Sequence, residues 1–266
     1  MSDTGIWAAA SGPAGKPQVR RIDMDRPWAW LAAGWHDFRS APMVCAGYGV
    51  IFALAGFILA LLIWAYDVFY LVLPLTAGFM LMGPILAVGL YEISRRLEAG
   101  EPVSLGVALT AWRRNVSQIA LMGLMLMLFL LGWIRIATLI FALFFADNPP
   151  RPDMMFIIDV FFSASSLPFL IVGTAVGGVL AALVFTFSVV SIPLLLDRDV
   201  DVITAVVTST TVVRENFRPM MVWGWLIVLF VGAGLATAFV GLIVTVPIVG
   251  LATWHAYRDS VDWGGA

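Results

Sequence analysis

The sequence predicts an all-α protein: a polytopic transmembrane helical bundle of six spans, preceded by a cytoplasmic interfacial N-terminal helix. Of the 266 residues, 61% are hydrophobic and only 12% are charged, whereas about a quarter of the residues in a soluble domain are charged. The mean hydropathy is +0.97, and several apolar stretches reach the roughly 20 residues that cross a bilayer as a helix. A chain of this composition is expected to place its apolar surface in lipid.

Two segments precede the first span. Residues 1–24 are small, polar and contain Gly and Pro, which predicts a disordered cytoplasmic tail. Residues 25–40 predict an amphipathic helix, because a helix-start signal is followed by apolar residues at helical spacing: Trp28, Leu31, Trp35 and Phe38. Since Trp favours the headgroup layer, this helix is expected to lie on the membrane surface. Packing against the protein's own cytoplasmic face is an equally good interpretation.

The transmembrane helical domain is predicted over residues 41–258, with a short C-terminal tail at 259–266. The first four spans are predicted at 44–66, 69–91, 117–145 and 169–196. Between the last two, residues 154–167 predict an interfacial or re-entrant segment. Residues 220–254 would form a helix of about 52 Å, which is too long for one crossing, so we divide them near 232–238 into two short spans.

The distribution of basic residues predicts the orientation. With six spans, nearly all arginines fall on one side of the membrane, and the other side carries mainly aspartates. Because Lys and Arg of short loops are retained in the cytoplasm, both termini are predicted to be cytoplasmic. A chain of five spans, with its C-terminus outside, is the alternative.

The two long polar breaks belong to a predicted internal repeat, which covers residues 69–145 and 169–240. In each unit a span ends in charges, and a weakly amphipathic helix follows that ends in an Arg-x-Asn motif before the next span. The motifs are Arg113 with Asn115 and Arg214 with Asn216. The asparagines are expected to cap the incoming spans and the arginines to meet lipid phosphates. Parallel repeats of this kind occur in transporters, and duplication is also common in membrane scaffolds.

The predicted membrane-interface residues are aromatic or basic side chains near span ends. They are Trp28, Trp35, Arg113, Asn115, Arg135, Arg214, Asn216 and Trp254. Arg135 lies about 27 Å along the third span, near the outer interface, where its long side chain can reach the headgroups or meet Asp147 or Asp159. Gly173 and Gly177 form a Gly-x-x-x-Gly face that predicts close helix packing.

The chain has only two histidines, His36 and His255, and both are predicted at the cytoplasmic border. Two imidazoles on one side of a membrane could ligate a haem or a metal. However, nothing in the sequence brings these two segments together. No motif for a nucleophile, a phosphate-binding loop or a metal site is present, so no catalytic residue, metal or cofactor is predicted.

Four sequence blocks resemble a known family when taken together in this order: AAGWHDFRSAPMVCAGYGV, GFMLMGPILAVGLYEISRRLEAGEP, SIPLLLDRDVDVITA and GLATWHAYRD. They resemble a bacterial integral-membrane family of unknown function, which is widespread in proteobacteria and often labelled as cytochrome c oxidase subunit I. The resemblance implies the bacterial inner membrane and supplies no catalytic residues. The oxidase label does not fit, because a catalytic haem–copper subunit needs more histidine ligands than the two at the border of this chain.

These observations predict a non-enzymatic accessory, scaffold or assembly partner of inner-membrane complexes, respiratory complexes included. The predicted partners are the lipid bilayer and either another membrane protein or a second copy of the chain, and not nucleic acid. A small-solute or lipid transporter or channel built from parallel repeats is the alternative. A third hypothesis is a haem- or quinone-linked protein that uses His36 and His255.

Overall fold

The structure, a computed structural model, describes residues 17–146 and 155–263, and this part of the chain is almost entirely helical. The helices are α1 (Arg26–Ser40), α2 (Pro42–Ala65), α3 (Val72–Leu86), α4 (Val88–Glu98), α5 (Leu105–Leu109), α6 (Val116–Phe145), α7 (Met155–Phe162), α8 (Leu167–Ser188), α9 (Ser191–Asp197), α10 (Val202–Glu215), α11 (Phe217–Ala236) and α12 (Leu242–Ser260). Two short strands, β1 (Gln18–Val19) and β2 (Val261–Asp262), pair antiparallel.

Five helical segments of the described chain are long and apolar enough to cross a membrane. They are Pro42–Ala65, Phe69–Glu98, Ala111–Phe145, Ala164–Asp197 and Phe217–Ala236. They correspond to the first five predicted spans. The predicted sixth span falls on α12, which is not among them, because the second half of this helix is polar and carries His255, Arg258 and Asp259. The count of six spans therefore is not confirmed.

The predicted division of residues 220–254 lies at a turn between α11 and α12. Ala238 and Phe239 adopt positive φ angles in this turn. The ring of Phe239 lies against Gly56 of α2, since a Cβ on Gly56 would be 2.5 Å from it. Gly56 precedes the last residue of α2 by nine positions, which is about 14 Å of helix. The α11–α12 hairpin therefore ends well before α2 does.

The two ends of the bundle are packed differently. At one end of the bundle α2, α6 and α11 begin and α4, α9 and α12 end. We call this end the polar end. Most large fully buried side chains belong to helices that meet there, and they include Trp30, Trp223, Trp254 and Tyr257. At the opposite end, which we call the apolar end, large apolar side chains of α2, α6 and α8 are exposed. This pattern is typical of a chain whose apolar end faces lipid.

Helix α1 packs on α12 through a face that includes Trp30, Leu31, Gly34 and Asp37. A Cβ on Gly34 would be only 2.7 Å from the backbone of α12, so the two helices approach closely here. Of the predicted apolar face, Leu31 therefore belongs to the buried contact, whereas Trp28 and Trp35 point outward. The structure shows α1 packed on the protein itself, and contact of its outer face with lipid remains a prediction.

The two long segments of the repeat are both broken near the polar end. Where α3 meets α4, the Tyr48 hydroxyl of α2 donates to the Leu86 carbonyl at 2.8 Å. Where α8 meets α9, the Ser209 hydroxyl of α10 accepts from the Val190 N–H at 3.2 Å and donates to the Thr186 carbonyl at 2.7 Å. At each break a hydroxyl from another helix takes the place of a helical hydrogen bond, which is a recognised cause of a helix kink.

The N-terminal tail differs from its prediction in the part that the structure describes. Gln18–Val19 pairs with Val261–Asp262, and the Arg20 N–H donates to the Ser260 carbonyl at 2.9 Å. The prediction of disorder over 1–24 is therefore wrong for this segment, because the backbone partners come from the distant C-terminus. Residues 1–16 lie outside the described chain. We call residues 17–25 the N-terminal arm.

Candidate functional site: a hydrogen-bonded network at the polar end

Asp37 joins three helices at the polar end. Its side chain, on α1, is only 11% exposed. Its Oδ2 accepts a hydrogen bond from the Ser94 hydroxyl of α4 at 2.6 Å and lies 2.8 Å from Nε2 of His255 on α12. A buried carboxylate is costly unless it is hydrogen-bonded or paired. These contacts therefore satisfy Asp37 and hold α1 against α4 and α12.

Glu92 is the centre of an arginine cluster at the end of α4. Its side chain is 2% exposed, and it accepts hydrogen bonds from Arg95 at 2.8 and 2.9 Å and from Arg96 at 2.7 Å. Arg114, from the first polar break, lies 3.8 Å away and also donates to the Leu196 carbonyl at the end of α9. The cluster therefore links the ends of α4 and α9 to the start of α6.

The last two turns of α12 bind the ends of α4 and α9 through two further carboxylates. Glu98 accepts from the Trp254 indole N–H at 2.9 Å and from Arg258 at 3.0 Å. Asp197 accepts from the Tyr257 hydroxyl at 2.7 Å. Burial, followed by the negative charge of Asp197, raises the pKa of Tyr257, so this phenol stays a hydrogen-bond donor.

Asp259 fixes the start of α1 to the end of α12. Both of its oxygens accept from the Arg26 guanidinium, at 2.7 and 2.8 Å, and Oδ2 also accepts from the Trp30 indole N–H at 2.9 Å. Burial alone would raise the pKa of Asp259, but the hydrogen bonds from Arg26 and Trp30 and the Arg26 charge outweigh it and lower this pKa. Asp259 is thus a carboxylate at neutral pH.

Both Arg-x-Asn asparagines occupy the N-cap position of a span, but neither side chain makes a capping hydrogen bond. The expectation that they cap is wrong, because each amide bonds to a different segment. Asn115 donates to the Leu195 carbonyl of α9 at 3.2 Å. Asn216 accepts from the Ile22 N–H at 2.8 Å and donates to the Arg20 carbonyl at 3.0 Å, so it holds the N-terminal arm.

The structure brings the two histidines to the same carboxylate. His255 bonds to Asp37 as described, and Nδ1 of His36 lies 3.8 Å from the other Asp37 oxygen. The His36 side chain is 73% exposed. Within residues 17–146 and 155–263, no group of three or more His, Cys, Asp or Glu side chains is arranged to hold a metal ion. The structure shows that His255 contributes to the packing of α12 on α1.

The predicted interface tryptophans separate into two groups. Trp28 and Trp35 are 59% and 43% exposed, whereas Trp254 is only 1% exposed. Placing Trp254 at the lipid interface was wrong, because its N–H is bonded to Glu98 and its ring packs against Tyr257 at a centroid distance of 5.4 Å. The paired indole explains how this large side chain is buried.

Arg135 and the glycine pair lie outside the polar-end network. Arg135 is exposed on α6, and within the described chain no ion pair joins it to Asp159 or any other carboxylate; Asp147 falls outside that part of the chain. Gly177 lies under Trp133, whose ring a Cβ would approach to 3.2 Å, but nothing lies within 4 Å of a Cβ on Gly173. The structure thus shows a close approach at Gly177 and an open surface at Gly173.

Sequence reasoning missed the roles of Asp37, Ser94, Trp30 and Asp259. A signal was present in α1, since Trp30, Gly34 and Asp37 recur at helical spacing and the central glycine permits close approach of another helix. The partners of this face lie more than 50 residues away in the chain. For that reason the local pattern could identify a second face but not its contacts.

The comparisons with known proteins concern the middle of the chain. Residues 72–197 match the model of a family described as "Predicted integral membrane protein (DUF2189)". The chain is an integral membrane protein. The matched stretch begins with α3, ends with α9 and covers just under half of the sequence. Together with the five apolar helical segments, this match supports the predicted resemblance to a membrane family of unknown function. No curated protein and no solved structure matches the chain.

Proposed function

We propose that the protein is a non-enzymatic accessory, scaffold or assembly partner of membrane complexes in the bacterial inner membrane, with its polar end and both termini in the cytoplasm. The observation that carries this proposal is the exposure of large apolar side chains on the second half of α2. The polar-end carboxylates described above are bonded to side chains of the same chain, which supports a structural role for the network.

The two halves of α2 have different surroundings. The first half is packed against α12, where a Cβ on Gly49 would be 2.3 Å from the Ile243 carbonyl oxygen. Beyond Gly56 the α11–α12 hairpin has ended, and large side chains are exposed on most sides of the helix. They are Phe57, Ile58, Leu59, Leu61, Leu62 and Trp64, which are 46–67% exposed.

Apart from the side of Ile63, which is buried against Phe156 and Val160 of α7, this helix segment is exposed, and such a segment is a suitable docking surface for another membrane helix. Association of helices within lipid is driven by van der Waals packing, interhelical hydrogen bonds and lipid entropy. A partner helix at this place would continue the line of contact that α12 makes with the first half of α2. We therefore assign the occupant as a transmembrane helix of a partner complex, and a second copy of the chain is an outcome that the test distinguishes.

Photo-crosslinking in the native membrane tests the proposal. A photoreactive residue replaces Phe57 or Leu61 on α2, and matched control sites are Leu124 and Leu128 on α6, which are similarly exposed at 56% and 61%. We expect one discrete protein adduct from the α2 sites only, and the same partner should co-purify stoichiometrically in mild detergent. An adduct of twice the chain mass would identify a second copy. No adduct from α2, together with purification of the chain alone, would refute the proposal.

A small-solute or lipid transporter or channel is the second candidate, and the matched helix breaks favour it. Broken helices are common at transporter binding sites, and here α3/α4 and α8/α9 are broken in corresponding positions. Cysteines placed at Ala87 and Val190, in a C45A background, test it. Fast reaction of both with a membrane-impermeant maleimide from either side would support a water-filled pathway; protection of both supports the scaffold.

A further inference from the structure

The arginines of the described chain fall into two classes. Seven lie within 4 Å of a carboxylate of the same chain and belong to the network or the N-terminal arm: Arg20, Arg26, Arg95, Arg96, Arg114, Arg198 and Arg258. Within residues 17–146 and 155–263, the remaining six form no such pair. Ion pairing within the described chain therefore accounts for seven of its thirteen arginines.

Three of the unpaired arginines occupy equivalent positions. Arg39, Arg113 and Arg214 each lie three residues before the first residue of a helix that leaves the polar end: α2, α6 and α11 respectively. All three are exposed. Because α2 lies outside the internal repeat, the repeated Arg-x-Asn motif alone does not account for Arg39. The shared feature is the place where a span enters the membrane from the polar end.

Two of these arginines lie over exposed tryptophan rings. The Arg39 Cζ is 5.9 Å from the Trp35 ring centroid, and the Arg113 Cζ is 5.5 Å from that of Trp112. Trp35 and Trp112 are 43% and 46% exposed. Trp at the ends of membrane spans is enriched in the headgroup layer, and stacking on the ring orders the guanidinium while leaving its N–H donors free for another group.

We propose that Arg39, Arg113 and Arg214 form an interaction surface for anionic phospholipid headgroups. The guanidinium fork matches the oxygens of a phosphate group, and the three cations lack a carboxylate partner in the described chain. The partner is assigned as lipid because all three arginines stand at the entry points of spans, where phosphates of the bilayer lie. This inference does not depend on the proposed accessory role, since it concerns the polar end and not the exposed second half of α2.

Native mass spectrometry of the purified full-length protein tests the proposal. The protein is released from mild detergent after equilibration with phosphatidylglycerol or with phosphatidylcholine of the same chain length. We expect preferential binding of phosphatidylglycerol by the wild type. Each Arg→Gln substitution should reduce this preference about fivefold, the effect of one basic residue at an anionic surface, and R39Q/R113Q/R214Q should abolish it.

Two matched variants separate this surface from general charge. R39K/R113K/R214K keeps the charge at the three sites and should retain most of the preference. R21Q removes an exposed arginine of the N-terminal arm that has no carboxylate partner in the described chain, and it should change the preference less than R39Q or R113Q does. An equal loss in R21Q would overturn the proposal. So would binding of inorganic phosphate as tight as that of the lipid, which would identify a site for free phosphate.

Discussion

The close contact between α2 and α12 predicts a sharp difference between two glycine substitutions in the same helix. A Cβ on Gly49 would be 2.3 Å from the Ile243 carbonyl oxygen and 2.7 Å from its carbonyl carbon. Since these are backbone atoms, G49A requires the two helices to separate by about 1 Å to restore ordinary contact, and overpacking of this kind costs about 1–3 kcal/mol. A Cβ on Gly47 would be 3.7 Å from Leu105, an ordinary contact.

The single cysteine of the chain provides the assay. Cys45 lies in the same helix and is fully buried, so its reaction with a fluorogenic maleimide on heating reports the opening of α2. We expect G49A to lower the apparent melting temperature by about 2–4 °C per kcal/mol. G47A should leave it unchanged or raise it slightly, because Ala favours a helix over Gly.

Equal melting temperatures for G49A and G47A would refute the packing of α12 on α2 at this position. That result would also remove the argument that the α11–α12 hairpin shields only the first half of α2. Comparison of the two variants controls for effects of detergent and for changes in helix propensity, because both replace Gly with Ala within one turn.

Three further predictions concern the polar-end network. D37A should destabilise the protein by about 1–3 kcal/mol, because Ser94 loses its carboxylate acceptor and His255 its partner; H36A, at an exposed site, should have little effect in the same Cys45 assay. N216A should increase the hydrogen-exchange rate of the Ile22 amide at least tenfold, because that N–H loses its acceptor in the folded state; N115A is the control, and equal exchange in the two would contradict the assigned role. Because the pKa of Asp259 is lowered on folding, its stabilisation is present above the usual value of 3.8 and is lost as the pH falls through the lower folded value. The difference in melting temperature between the wild type and D259N, followed by tryptophan fluorescence, should therefore shrink below pH 3.8, and a constant difference would argue against it.

The sequence was sufficient to predict the parts of the fold that depend on composition and local period. The first five predicted spans coincide with five apolar helical segments, and the division of residues 220–254 is present as a turn. These features are predictable because a span needs only length and hydropathy. The sixth span was harder to predict, because α12 is apolar in its first half and polar in its second half.

The network at the polar end could not be predicted, because its contacts join distant segments. Asp37 meets His255, 218 residues away, and Arg20 meets Asp262, 242 residues away. Trp254 shows the same limit: a border tryptophan is usually an interfacial residue, and only the presence of Glu98 beside it permits burial. The local sequence pattern identified residues whose side chains could bind or lie at the interface, while tertiary contacts decided their roles.

Reporter fusions in the native bacterial membrane test most directly the proposed orientation, in which both termini and the polar-end network lie on the cytoplasmic side. A fluorescent protein that folds only in the cytoplasm is fused to either terminus, and a phosphatase that is active only outside is inserted after Asp67 or Ala146. We expect fluorescence from both termini and phosphatase activity from both insertions. Fluorescence from the N-terminus but none from the C-terminus would contradict this orientation, because β1 could then not pair with β2.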